Sequence, residues 1–480
     1  MTTGAGSAGP RTRFARIAAC LLVLVAAASP PAADAAAGDD NAVEVLSLEQ
    51  ALAIALENNR DIRKAMELRR KLEGRYVEER AAALPQLLVS GSAVRNRDES
   101  QKAFGASPRT DTYEAQAGLS QPLFTYGQIG AAIRAARVGL ATADDQLRIF
   151  RQAALRDVSE VFHDVLLARE LRAIALLSRD QRERHLEEAR KRNAAGTATD
   201  YDVLAAEVAL RNAEPEVLRT EYLVRIARDR LRFLLARDDR EVDVRGELAA
   251  EIADHPRYED AIASARANRP ELSDLRHRLG VAKELVTIAA TGNKPRLDLS
   301  ASAGWKETDT GRAEADGAAW SAGVFLTWPL FNGQRTRGQV AQAESDRATL
   351  GIEEAKLLDA ISLECRDAVN AVRVAGEIVK AQSGSVEQAE RLLAMAEKGF
   401  EYGVKTKLEV DDAQLNLSQA RGSLARARRD YLVARVNLAH ATGVLGEEAG
   451  QAAEAADGKW RPAESPLGIV KEVLSGEPRL

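Results

Sequence analysis

The chain has 480 residues, 29% of them charged, and a formal net charge of −5. So mild an acidic balance gives no reason to expect a nucleic acid partner, and ordinary glycine, proline and charged fractions exclude a collagen-like or wholly disordered chain. Aromatic residues make up only 4%, while Ala, Leu, Glu and Arg dominate, which favours long helices packed through small side chains.

Residues 1–37 read as a secretory signal peptide. Arg11, Arg13 and Arg16 form its basic start, Ile17 to Ala28 its apolar run, and Ala33-Asp34-Ala35 fits a small-residue cleavage site. The run is too short for a spanning helix, which needs about 20 apolar residues. Cys20 lies inside the run, a poor place for a lipoprotein cysteine. After cleavage one cysteine remains, Cys365, so no intrachain disulfide is expected. No later segment is a long unbroken apolar run, so any membrane-spanning part must be built from β-strands.

The remaining chain repeats itself at an offset of about 210 residues. Leu48-Glu49-Gln50-Ala51 through Asp61-Ile62 returns as Tyr258-Glu259-Asp260-Ala261 through Glu271-Leu272. Pro85-Gln86-Leu87 returns as Pro295-Arg296-Leu297, and Gln121-Pro122-Leu123-Phe124 as Trp328-Pro329-Leu330-Phe331. Residues 38–245 form a first repeat, with a strand hairpin over about 86–121 and a helical hairpin over about 128–237. Residues 246–445 form a second, with a strand hairpin over about 296–328 and a helical hairpin over about 334–443. The tail, 446–480, loses periodicity and reads as irregular.

Each repeat is expected to start with one helix, Leu48–Arg80 and Tyr258–Thr291, ended by Pro85 and Pro295. Strands follow. Leu297, Leu299, Ala301, Ala303 and Trp305 alternate with Asp298, Ser300, Ser302 and Gly304; Trp320, Ala322, Val324, Leu326 and Trp328 form the partner's apolar face. In the first repeat Tyr113, Ala115, Ala117 and Leu119 alternate with Glu114, Gln116, Gly118 and Ser120. Period-two alternation over about ten residues fits a transmembrane β-strand and equally a half-buried soluble hairpin. Trp305, Trp320 and Trp328, taken as strand-end residues, favour a membrane interface. Polar loops are expected at about Arg95–Thr112 and Lys306–Gly317.

The longest elements come next, about Gln128–Asn193 and Gln334–Phe400, without a breaker. Leu358, Ile361, Cys365, Ala368, Val372, Ala375 and Val379 step by three and four residues, as do Val410, Ala413, Leu417, Ala420 and Leu424 on the returning helix. Val203, Ala206, Leu210, Ala213 and Val217 do the same in the first repeat, so both hairpins are coiled coils. Pro215 should kink its helix or remove a hydrogen bond. Gly196 and Gly403 suit the helix ends at the turns, and Thr199 and Thr406 the caps of the returning helices.

An exported chain with this duplication, Leu-Phe followed by Gly-Gln after each second strand, and Gly403-Val-Lys-Thr406 before Glu409-Val-Asp-Asp412 resembles the TolC family of outer-membrane efflux proteins. The likeness runs from about Leu46 to Leu445. It implies a mainly α fold with a small β part. In that fold a homotrimer gives four strands per chain to one twelve-stranded outer-membrane barrel, continued by a periplasmic coiled-coil barrel. The function so implied is a passive exit duct of a tripartite efflux or type I secretion system. It sits in outer-membrane lipid and is opened by a periplasmic adaptor (membrane fusion) protein and an inner-membrane transporter.

The resemblance also implies site residues. Lys405 takes the place of the family's tip arginine, Glu409 and Asp412 those of two carboxylates at the constriction, and Phe400 that of a tyrosine. Tyr201 and Asp202 fall where the arginine's partners lie, which suggests a Lys405–Asp202 latch across a gate. Gly196, Thr199, Gly403 and Thr406 would shape the tips that the adaptor meets. Plain helix capping and solvated surface charge explain the same residues, and a soluble periplasmic coiled-coil scaffold or binding protein without a barrel remains the competing function.

Signs of catalysis are missing. His163, His185, His255, His277 and His440 are scattered, and the chain has no zinc-site pair, P-loop or nucleophile elbow. Cys365 sits in the heptad series. Neither enzyme activity nor a metal or cofactor is expected.

Overall fold

The computed structural model describes residues 43–446 except 101–108, 239, 250–251, 253–256 and 311–312. The signal peptide and nearly all of the C-terminal tail lie outside the described residues.

The first repeat holds β1 (Glu44–Leu46), α1 (Leu48–Asn58), α2 (Arg60–Ala81), β2 (Gln86–Arg97), β3 (Arg109–Phe124), α3 (Gln128–Ala194) and α4 (Asp200–Leu235). The second holds β4 (Val242–Val244), α5 (Tyr258–Asn268), α6 (Pro270–Ala290), β5 (Arg296–Asp309), β6 (Glu314–Thr327), α7 (Arg335–Glu401) and α8 (Lys407–Ala441).

The single helix expected at the head of each repeat is in fact two. Asn59 takes an extended ψ of 128° and accepts the backbone N–H groups of Asp61 and Ile62 on its side chain, capping α2. Its amide also donates to Leu234 O at 3.2 Å, which ties the break to the end of α4. Arg269 stands at the same place in the second repeat, followed by Pro270 at the first position of α6. Its guanidinium is buried between Glu271 and Glu364. A side-chain cap interrupts the apolar period in the first repeat, and Pro270 restarts the helix in the second, where Arg269 makes no cap bond. The short parallel pair β1–β4, which the sequence reading missed, closes the middle of the molecule. Pro215 is carried inside α4 without a break.

Both long helices span 67 residues, about 100 Å at ~1.5 Å per residue. Near the sheet the packing order is α2–α3–α6–α7, and towards the tips it is α4–α3–α8–α7. Thus α3 and α7 run the full length while shorter helices meet end to end beside them. The expected heptad positions supply the core of the second hairpin. Val372, Val379, Leu424 and Tyr431 cluster in its middle, and Leu393, Ala396, Val410 and Leu417 near its tip.

The four long strands form one antiparallel sheet in the order β2–β3–β5–β6. The register aligns the two repeats: Val89 opposes Ala117, which opposes Ala303, which opposes Trp320. One row along, Leu87, Leu119, Ala301 and Ala322 align, and the intervening rows carry Ser90, Gln116, Ser300, Ser302 and Ser321. One face of the whole sheet is therefore apolar and the other mainly polar, with Leu88, Val94 and Phe325 as exceptions on the polar side. The strands run into the segments expected as loops, since β5 continues to Asp309 and β6 begins at Glu314. Consequently Trp320 lies in the middle of β6 and not at a strand end. Trp305 opposes Ala318, two residues nearer the β5–β6 turn than Trp320, and Trp328 follows Trp320 about 27 Å along the strand in the other direction.

At the sheet–helix junctions two consecutive residues turn left-handed, Tyr126 and Gly127 (φ 51° and 86°) and Gly333 and Gln334 (φ 64° and 65°). Glycine takes this region at no steric cost, which is why Gly-Gln follows Leu-Phe in both copies.

Candidate functional site: the two helical hairpin tips

The end of the molecule remote from the sheet carries the two tight turns α3–α4 and α7–α8, and the two are built alike. Gly196 (φ 75°) and Gly403 (φ 73°) end the outgoing helices. Thr197 N–H donates to Arg192 O at 2.9 Å, and Val404 N–H to Gly399 O at 2.8 Å. These wrap the last helical carbonyls in the same way.

Thr199 and Thr406 then cap the returning helices through reciprocal boxes. Asp202 N–H donates to Thr199 Oγ1 at 3.3 Å while the Asp202 carboxylate accepts Thr199 N–H at 2.8 Å. Glu409 N–H donates to Thr406 Oγ1 at 3.3 Å while its carboxylate accepts Thr406 N–H at 2.8 Å. Asp202 and Glu409, given different roles in the sequence reading, are structural equivalents.

The electrostatics follow from these bonds. Asp202 is held below the usual carboxylate range, chiefly by the Thr199 N–H and then by the Thr199 hydroxyl. The Glu409 carboxyl is lowered to about 2, first by the Lys405 ammonium and then by the Thr406 N–H. Lys405 Nζ bonds Glu409 Oε1 directly. Within one chain, then, Lys405 pairs with Glu409 and not with Asp202, and the expected latch partners are each engaged in their own turn. Lys407 pairs with Asp411 at 3.0 Å. Asp412 and Tyr201 are exposed, with no hydrogen bond or ion pair to another described residue.

The tips of one chain also touch each other. The Arg192 guanidinium lies over the Phe400 ring at 5.4 Å, and Gln414 donates to Gln181. Between them is a cavity of about 350 Å³, floored by Ala189, Ala205, Ala206 and Ala209 and rimmed by Arg192 and Phe400. Burial pushes the His185 imidazole on its wall below the usual histidine range, with Lys407 adding to the effect. Sequence reasoning placed Phe400 at the tip but missed Arg192 and Gly399. Their signal was present: they occupy one position of the repeat with opposite sizes. Among the described residues no group of three or more His, Cys, Asp or Glu side chains is placed to hold a metal.

A four-stranded sheet with one apolar face, joined to a helical layer about 100 Å long, defines a component of a conduit across the cell envelope. No helix among the described residues is long and apolar enough to cross a membrane.

The profile of the family described as "Outer membrane efflux protein" matches residues 51–237 and 261–444, and the chain belongs to that family. It is 26% identical over 427 residues to the alkaline protease secretion protein AprF of Pseudomonas aeruginosa, covering 84% of this chain and 85% of the relative. It is 24% identical over 405 residues to the toluene efflux pump outer membrane protein TtgC of Pseudomonas putida, covering 83% of each. The Campylobacter jejuni CmeC outer membrane channel superposes with a TM-score of 0.74 at 15% identity, over 90% of this chain and 98% of that one. The protein is thus an outer-membrane exit channel of the efflux and secretion class.

Proposed function

We propose that three copies close around one axis into a passive duct, docked at its periplasmic end by an adaptor protein and supplied by an inner-membrane transporter. The observation that carries this reading is that sheet and helical layer end in matching open edges. β2 and β6 pair on one side only, and the helical layer is bordered by α2 and then α4 on one side and by α7 on the other. Large apolar side chains stand exposed on both borders: Leu204, Leu218 and Tyr222 on α4, Ile352, Leu363 and Met395 on α7. Edges of unlike kind on the two sides make a head-to-tail contact, which closes as a ring.

Strand number supports three copies. One sheet of four strands cannot close, and an open edge cannot face lipid. Two copies make a barrel of about eight strands, whose interior side chains fill. Three is the smallest ring that leaves a passage. The apolar face then meets lipid between Trp305, which opposes Ala318, and Trp328, about 34 Å along the strand; at a strand tilt of about 40° that is roughly 26 Å of height, close to the ~25 Å band of outer-membrane barrels.

The hairpin tips form the periplasmic entrance, with Glu409 and Asp412 near the axis and the turns around Gly196, Thr199, Gly403 and Thr406 presented to the adaptor. The chain carries out no catalysis. Relatives named for protease secretion and for toluene efflux support a duct whose cargo is chosen by its partners. Fractionation tests the reading: a trimer released from outer membranes only by detergent agrees with it. Recovery as a soluble periplasmic protein would replace it with a scaffold.

A further inference from the structure

We propose that Gly399 is the seat that holds Lys405 over Glu409, so that the second hairpin tip neutralises Glu409 within its own chain and leaves Asp412 as the uncompensated one of the two carboxylates assigned to the constriction. The inference rests on the reading of the tips as the mouth of a trimeric duct, and it alters which residue gives that mouth its charge.

Gly399 lies inside the last turns of α7, where its backbone is helical and glycine costs ~1 kcal/mol relative to alanine. No left-handed angle asks for it. What asks for it is contact: a Cβ here would lie 2.5 Å from Lys405 Cγ and 3.1 Å from Lys405 Cβ. The turn folds back tightly because Gly399 O accepts two backbone donors, Val404 N–H at 2.8 Å and Lys405 N–H at 3.0 Å. The lysine stem therefore crosses the bare backbone of Gly399, and its ammonium arrives on Glu409 Oε1.

The other carboxylate oxygen is committed as well, accepting from Thr406 N at 2.8 Å and Thr406 Oγ1 at 3.1 Å. From Lys405 to Asp412, two ion pairs form, Lys405–Glu409 and Lys407–Asp411, and Asp412 alone is left over. An ion pair a few ångströms long acts at a distance as a dipole, whose field is weak beyond a Debye length of about 8 Å.

The first repeat is the internal control. There Arg192 occupies the place of Gly399 and Ala198 that of Lys405. The capping box forms equally well without either, so the cap does not require the seat. The long side chain at that position instead reaches across to Phe400. Glycine and lysine occur as a matched pair in the copy that carries Asp412.

The test is the ion selectivity of the full-length protein in planar lipid bilayers, read as the reversal potential in a potassium chloride gradient. Asp412→Asn should remove most of the preference for potassium over chloride, although every Glu409 is still present. Adding Lys405→Gln to that variant should restore cation preference through the released Glu409. Alone, Lys405→Gln should about double the wild-type preference, since the uncompensated carboxylates of the Glu409–Asp412 pair go from one to two in each chain. Gly399→Ala should shift the ratio in the same direction, and should add nothing in a Lys405→Gln background. If Asp412→Asn keeps most of the cation preference, or Gly399→Ala leaves the ratio unmoved while Lys405→Gln shifts it, the proposal is wrong. Wild-type protein that forms no channel at all would instead overturn the duct reading.

Discussion

The Arg192 guanidinium sits 5.4 Å from the centroid of the Phe400 ring and so joins the two hairpin tips of a single chain. Arg192 comes from the end of α3 and Phe400 from the end of α7, beside an alanine-floored cavity. Opening the entrance by swinging one hairpin away from the other must break this contact. A cation over an aromatic face at an exposed site contributes ~0.5–1 kcal/mol, a factor of about two to five in a closed-to-open equilibrium. Arg192→Ala should raise single-channel open probability by that factor. Phe400→Leu should match it and Phe400→Tyr should not, because the phenol ring keeps its face. Equal openings in the wild type and both disruptive variants would show that the contact plays no part in closure.

The equivalence of Asp202 and Glu409 as capping-box partners yields a prediction about the turns. Removing a threonine cap costs about 1 kcal/mol, so Thr199→Ala and Thr406→Ala should each speed amide exchange in the first turn of α4 or α8 about fivefold. Hydrogen exchange read by mass spectrometry on peptides covering 200–207 and 407–414 checks it. Each effect should stay on its own tip, because the boxes share no residue.

How much of this was legible in the sequence differs by element. The long helices and their seams were, because alternating steps of three and four residues leave a mark that survives any context; Val410, Ala413 and Leu417 are all buried as expected. Which residues share a sheet face was also legible, since strand alternation needs no knowledge of the partner; whether the apolar face meets lipid was not, since the same alternation fits a half-buried soluble hairpin. The breaks at Asn59 and Arg269 were not: an Asn cap and a proline at the first helical turn are compatible with a continuous apolar period, and the bonds that hold each break, to Leu234 and Glu364, reach residues more than 90 positions away. The tips were half legible. Gly196, Thr199, Gly403 and Thr406 declared the turns, but which charge meets which was decided by the empty space over Gly399.

The Arg269–Glu364 contact sets a pH dependence. Glu364 is held down to about 2 from an ordinary 4.5, first by His440 and then by Arg269, against an opposing effect of burial. A depressed carboxyl stabilises the fold above its unfolded pKa and loses that contribution as pH falls through the folded value. The stabilisation should therefore be complete above about pH 4.5 and fade towards pH 2. Thermal unfolding of the detergent-solubilised protein should show Glu364→Gln melting below wild type at pH 7. The gap should close as the pH is lowered through this window. A gap that stays constant down to pH 2 would place the effect of Glu364 in packing and not in charge.

The apolar face of the sheet supplies the sharpest test of where lipid lies. Val324 opposes Leu299 on that face, midway between Trp320 and Trp328, and Ser300 opposes Gly323 one residue away on the polar face. The two sites share almost the same depth and differ in the side they face. An arginine on the lipid side near the middle of the bilayer costs ~2–4 kcal/mol, whereas a lumen position accepts it. Val324→Arg should therefore sharply reduce the folded, detergent-extractable protein in the outer membrane. Ser300→Arg should leave its amount near wild type while lowering potassium conductance. If both variants accumulate equally, the apolar face packs against protein and the sheet is not a wall of the barrel.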